Sequence, residues 1–435
     1  MRTKVAVASS FVLLGVALNG CGSKSDGSNN PSSSSGSAGQ SSANGGSNAS
    51  GGSSNSNAGS SNGGSATSNG GSTANGGNTA NGGSTANGGA APIGNAGTSS
   101  CVIPAGAMAE DISHPTTVVG NGMADSCTAD KVVAAVAAGG VVTFSCGADP
   151  LTIVVPEIEI INDGGLTKDG SVTIDGGGKI TLSGGGKNRI LRQNPCDQSL
   201  HYTSTHCNDQ DTPHLVVQNI GFTDGAGSAE QVDKNGLLGG GALYVGGGTF
   251  KAVNITITNS QQTNAAGQLV QDLAGGAIYS VDMSTSSAVY IVNSTFQGNS
   301  GVNGGALGSI GTSWSIFNSL FKNNSATGHG ENPARTGTEG GGLGGAIYND
   351  GNDYTLTICG SEFDTNQANE LGSGSIFEVV DNLNGNLNIS QSKFSGNSDT
   401  GDVQKAAKHP GIYVEAKNKT DGTSGVTISS DTTFD

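Results

Sequence analysis

A two-part phrase recurs along the second half of this chain, and few folds can accommodate it. Its first part is Gly-Gly-Ala followed by an aliphatic residue, as in Gly275-Gly276-Ala277-Ile278, Gly304-Gly305-Ala306-Leu307 and Gly344-Gly345-Ala346-Ile347. Its second part follows 17 to 25 residues later as Asn-Ser-x-Phe-x-x-Asn. The cleanest copies are Asn293-Ser294-Thr295-Phe296-Gln297-Gly298-Asn299 and Asn318-Ser319-Leu320-Phe321-Lys322-Asn323-Asn324, with weaker ones around Phe363, Phe394 and Phe434. A unit of 29 to 40 residues is too small to bury its own apolar face, so the units must stack as rungs.

Ahead of the repeats, strand-like runs at residues 151–155, 171–174, 179–182, 189–191 and 214–222 are separated by Gly- and Asp-rich turns such as Asp175-Gly176-Gly177-Gly178. Parallel strands ordinarily need long helical crossovers, yet these are joined by turns. A chain winding continuously around an axis satisfies both facts, which predicts an all-β parallel β-helix solenoid. Residues 128–138 read as a short amphipathic helix with Thr128 at its N-cap, placed to cover the open edge of the first rung. The first strand is expected at residues 141–144.

In such a coil Phe222, Phe296, Phe321, Phe363, Phe394 and Phe434 stack along one interior line, about 4.8 Å apart. Asn259, Asn293 and Asn318, continued by Gln391, are expected to form one amide ladder; Asn299, Asn324, Asn366 and Asn397 form a second. All of these side chains are structural.

Composition divides the chain into three. Residues 1–20 carry Arg2 and Lys4 and then an apolar run at 5–18, the pattern of an export signal. The run ends in Leu18-Asn19-Gly20-Cys21, which resembles the lipobox of bacterial lipoproteins and implies a lipid on Cys21. Residues 21–100 are almost wholly Gly, Ser, Asn, Ala and Thr, with no aliphatic residue per hexad to drive folding, and read as a disordered tether about 50 Å in end-to-end distance. Residues 101–435 form the β-helix domain. A net charge of -16 excludes nucleic acid and anionic lipid surfaces as electrostatic partners. Of seven cysteines, Cys127 with Cys146 and Cys196 with Cys207 are expected to be disulfide-bonded outside the cytoplasm; Cys101 and Cys359 are left over, either paired or free.

The paired Gly-Gly-Ala-Ile and Phe-x-x-Asn motifs resemble those of polymorphic outer-membrane proteins, bacterial surface proteins with adhesin roles. Val142-Thr143-Phe144-Ser145-Cys146-Gly147 and Ile174-Asp175-Gly176-Gly177-Gly178 resemble the opening rungs of the wider pectate-lyase-like superfamily. The resemblance covers about residues 115–435, and it implies a right-handed helix displayed on the surface of a Gram-negative bacterium. It departs in one respect: no membrane β-barrel follows the repeats, and the anchor lies at the N-terminal end.

Chemistry is sparse. Polygalacturonase-type enzymes carry an Asp-Asp pair, a Gly-His-Gly and an Arg-x-Lys, whereas this chain has only Gly328-His329-Gly330, with Arg189-Ile190-Leu191-Arg192 the nearest approach to the basic pair. His201, His206, Cys207, Asp209, Asp211 and His214 are metal-capable, but Cys207 is spoken for by its expected disulfide, so no metal site is assigned. Calcium finds no support, because the Asp-Gly turns lack a periodic nonapeptide. No cofactor other than the lipid on Cys21 is implied. The distance from each Phe to the next Gly-Gly varies from 8 to 23 residues, so insertions collect at one corner, at 223–239, 264–274, 325–343 and 398–408. The longest carries His329, Glu331, Arg335 and Glu339, which make up the candidate binding loop. The expected function is therefore non-catalytic adhesion or binding of an extracellular polysaccharide or another cell's surface. The alternatives are a polysaccharide lyase or glycoside hydrolase, and a structural spacer or coat.

Overall fold

The computed structural model describes residues 101–161, 171–194, 212–228, 239–263, 273–281, 289–400, 409–416 and 425–435, all in the unit that spans Gly82 to Asp435. The signal segment, Cys21, the tether, and Cys196 with Cys207 lie outside these residues. So do five members of the metal-capable cluster, His201, His206, Cys207, Asp209 and Asp211.

Among the described residues, 33 strands fall into four sheets of ten, nine, six and eight strands. Every pairing between these strands is parallel. The chain visits the sheets in cyclic order. Val289–Val292 lies in the first sheet, Thr295–Gln297 in the second, Ser300–Gly301 in the third and Leu307–Ile310 in the fourth, before Trp314–Phe317 returns to the first. This is the arrangement of a parallel β-helix, and one hydrophobic core runs between the sheets.

Each part of the repeated phrase has a place in this turn. Corners between the first and second sheets are made by one left-handed residue: Asn219, Asn254, Asn293, Asn318 and Gln391 have φ of 48–54°. Asn tolerates this region better than other residues with a Cβ. The next corner uses Asp224, Asn259, Asn323 and Thr365 in the same conformation. Asn259 therefore belongs to the second corner and not with Asn293 and Asn318. The expected first amide ladder is really a column of left-handed turns.

The Ser of Asn-Ser-x-Phe forms a ladder that the sequence did not reveal. The backbone N–H groups of Ser294, Ser319 and Ser361 donate to the hydroxyls of Ser319, Ser361 and Ser392 at 3.1, 3.1 and 3.2 Å. The second Asn set is a ladder as expected: Nδ2 of Asn299, Asn324 and Asn366 donates to Oδ1 of the next member at 3.0, 2.9 and 2.9 Å. Between the two ladders, Phe296, Phe321, Phe363, Phe394 and Phe434 stack at centroid spacings of 4.9, 4.8, 4.7 and 5.0 Å. Phe222 shares the column but is separated from Phe296 by Ile257.

The doubled glycine answers two steric demands. At Gly304 (φ 57°) a Cβ would meet the Leu307 carbonyl oxygen at 2.1 Å, and at Gly305 one would meet the Gly345 carbonyl oxygen at 2.2 Å.

The helix spans Ala129–Ala138 and buries Val132, Ala135 and Val136 against the first turn. Thr128 occupies the N-cap position, but its side chain makes no capping hydrogen bond. The outermost strand of the first sheet is Thr117–Gly120, ahead of the expected first strand, which spans Gly140–Ser145. The run at 214–222 is two strands, His214–Gln218 and Gly221–Thr223, because the Asn219 corner divides it between sheets.

Residues 101–116 form no part of the coil. They run as a strap over the outer face of the first sheet, against the direction of stacking. Cys101 is bonded to Cys359, and its N–H donates to Asn318 Oδ1 at 3.0 Å. Further on, Ala107 packs with Val253, Val292 and Phe317 in a small core outside the sheet. Lys251 pairs with Glu110, the Glu110 N–H donates to Gln218 Oε1 at 2.8 Å, and the Thr116 N–H donates to the Val141 carbonyl at 2.8 Å.

Candidate functional site

The longest insertion leaves the third sheet at Ser325–Ala326 and returns through Leu343 to the next Gly-Gly. It closes on itself as a small antiparallel pair, with His329 opposite Gly340 and Glu331 opposite Gly341. The centre of the loop is tied to Glu370, which is only 2% exposed. Glu370 Oε1 accepts from Arg335 Nη2 at 2.6 Å and from the Gly330 N–H at 3.0 Å, while Glu331 lies 3.9 Å from Arg335 Nη1.

Arg335 therefore neutralises two carboxylates of its own chain. His329 is exposed, with Nε2 at 3.2 Å from Asn369 Nδ2. Glu339 is half-buried on the returning side. Of the four loop residues singled out by sequence, Glu331 and Arg335 meet around Glu370, and His329 points to Asn369 and solvent. Glu370 was missed in the sequence, because nothing local marks one acidic residue as the counter-charge of an arginine 35 residues away.

Beneath the loop lies an aromatic column on the outer face of the fourth sheet. Tyr348, Phe377 and Tyr413 stack at 5.2 and 5.3 Å, and Asn332 of the loop donates to the Tyr348 hydroxyl at 3.0 Å. Each tyrosine donates to a carboxylate two residues on: Tyr348 to Asp350 at 2.7 Å and Tyr413 to Glu415 at 2.5 Å. Burial, then the Glu415 hydrogen bond and the Glu415 and Glu331 charges, push the Tyr413 hydroxyl well above its ordinary pKa. Asp381 is raised by burial and by Glu415. A Tyr follows Gly-Gly-Ala-Ile at 279 and 348, but nothing in the sequence indicated that the insertion would cover Tyr348.

A concavity of about 520 Å³ opens beside the strap on the first sheet. Val141, Thr173, Val216 and Tyr290 line it, with Glu110, Lys251 and His214 among the polar groups around it. Glu110 and Lys251 form its ion pair, and His214 Nδ1 contacts Thr249 Oγ1. Arg189, by contrast, is 2% exposed and held by the Gly239 and Gly240 carbonyls and by Glu157, so it serves the core. Among the described residues no group of three or more His, Cys, Asp or Glu is arranged to hold a metal ion, and no helix is long and apolar enough to cross a membrane.

No family model matches this chain, and no curated protein or solved structure matches it.

Proposed function

We propose that this protein is an exported lipoprotein, anchored through Cys21, that displays a right-handed parallel β-helix for non-catalytic binding at the surface of a Gram-negative cell. Its motifs resemble those of polymorphic outer-membrane proteins and its architecture that of the pectate-lyase-like superfamily. The observation that carries this reading is the order of parts: a lipobox-like Leu18-Asn19-Gly20-Cys21, a Gly/Ser/Asn-rich stretch, then a stack of parallel strands. The binding surface belongs to the corner where insertions collect, with His329, Glu331, Arg335 and Glu339 of the loop at 325–343 and the half-buried Tyr413 and Glu415 beside it. An aromatic ring flanked by a carboxylate acceptor suits the hydroxyl-rich faces of a polysaccharide. Cells fed an alkyne fatty acid should label the wild-type protein and not Cys21→Ser, and a glycan array should show retention without product release. An unlabelled wild-type protein would overturn the anchor, and released oligosaccharide would overturn the non-catalytic assignment.

One observation favours a second reading, a polysaccharide lyase or glycoside hydrolase. The concavity on the first sheet brings Lys251, Glu110 and His214 together around an apolar floor. If depolymerisation is found, Lys251→Ala should abolish it.

A further inference from the structure

The strap ends in a covalent bond in an unexpected place. Cys101 is the first described residue, yet its partner Cys359 lies 258 residues on. Cys359 closes Thr355–Cys359, the eighth strand of the ten-stranded first sheet. That strand is paired on both sides, with Trp314–Phe317 and with Asn386–Ser390. The strand that follows the strap in sequence, Thr117–Gly120, is the outermost of its sheet and pairs only with Gly140–Ser145 among the described residues.

We propose that the Cys101–Cys359 bridge is a mechanical shunt, carrying tension on the N-terminal stretch directly into the interior of the stack and leaving the strap slack. The proposal rests on the surface-anchored reading above, in which the stretch before Cys101 is the tether. Without the bridge, tension at residue 101 first lifts residues 102–116 from the first sheet. It breaks the Glu110–Lys251 and Glu110–Gln218 contacts one after another and uncovers Val253, Val292 and Phe317. It then reaches Thr117–Gly120 and unzips the stack from its edge, where each step breaks few hydrogen bonds.

With the bridge closed, force passes from the Cys101 sulfur to the Cys359 sulfur. It must then shear a doubly paired strand whose hydrogen bonds act together. The contacts around the bridge fit that role. Cys101 is paired with Asn318 through its N–H and its carbonyl, and the neighbouring strand ends pack Val292 and Phe317 against the strap. The occupant of any binding surface on the earlier turns is thus spared the peeling motion.

The test is single-molecule extension of the purified full chain between handles at its two ends, which needs neither lipid nor ligand. With the bridge closed, only the residues beyond Cys359 can unravel. The total contour gain from folded structure is then about 270 Å, taking ~3.5 Å per residue. In the Cys101→Ser, Cys359→Ser double variant the gain rises to roughly 1,100 Å with Cys127–Cys146 still closed. The double variant should also gain a low-force event, the peeling of the strap and edge strand, beside the unravelling from the C-terminal side that both proteins share. Circular dichroism and a thermal melt of the double variant establish that it folds. A wild-type gain near the longer value overturns the proposal, as does a folded double variant without a low-force event that wild type lacks. Neither outcome bears on fatty-acid labelling at Cys21, so failure here is separable from failure of the anchor.

Discussion

Phe321 sits mid-column, with a ring above and a ring below at 4.9 and 4.8 Å, so truncating it leaves a cavity that rigid neighbours cannot fill. Phe321→Ala should cost about 3–5 kcal/mol and Phe321→Leu less than about 1.5 kcal/mol, read as shifts in the denaturant midpoint. Asn324 is harder to replace: Oδ1 accepts from Asn299 N–H and Nδ2, and Nδ2 donates to Phe296 O and Asn366 Oδ1. Asn324→Ala should therefore cost more than about 2 kcal/mol by leaving buried amides unpaired.

Glu378 faces the core from the fourth sheet, fully buried, and among the described residues its only hydrogen-bond partner is Asn349, with Nδ2 at 3.5 Å from Oε2. Burial raises its pKa well above the carboxylate range, the Asn349 contact opposing. A folded-state pKa above the unfolded one means that its contribution is complete below the ordinary carboxylate range and is lost as pH rises toward the elevated value. Glu378→Gln should be more stable than wild type near pH 8 and should flatten the pH dependence of the melting temperature. A variant that melts lower at every pH would refute this. Asp111, Asp353 and Asp431, held low mainly by hydrogen bonds at the surface, act in the opposite direction. The Phe column was legible because an apolar residue recurring between two polar ones has only one place in a rung. Asn259 was misplaced because both corners require a left-handed residue and Asn serves either.

At the scale of elements, the loop at 325–343 is fixed by one buried carboxylate more than by its own short pairing. Arg335→Ala removes the charge that Glu370 was buried against, although the arginine itself is partly solvent-screened. Hydrogen exchange should then accelerate at the Gly330, Glu331 and Gly341 amides, while the Ser294 and Asn299 ladder amides remain protected. Equal acceleration at both sets would show that the loop and the stack are one cooperative unit. Insertion lengths marked this loop in the sequence. What the sequence could not show was that its charges are spent internally, since Glu370 comes from the next turn and its approach depends on the finished stack. The strap was illegible for a similar reason: Cys101 and Cys359 have no local pattern, and only the winding of seven intervening strands of the first sheet sets them face to face.

At the scale of the whole molecule, each turn touches only its neighbours, so stability is a sum of local interfaces tied together by two described disulfides. In a chain-entropy picture, opening Cys101–Cys359 should cost about 5 kcal/mol and opening Cys127–Cys146, which closes 19 residues, about 3 kcal/mol. Paired Cys→Ser variants in urea would show the ranking, and an equal or reversed order would contradict it.

The segment from Phe296 to Phe321 is the shortest circuit of the coil, with no insertion, and it begins and ends on the same corner chemistry: an Asn–Ser pair, a Phe, then an Asn. Its two faces are therefore mutually complementary, and a tandem copy of those 25 residues would find a ready berth between its parents. Genes of this kind can lengthen by duplication without inventing a new interior, which makes height, more than shape, the quantity open to selection.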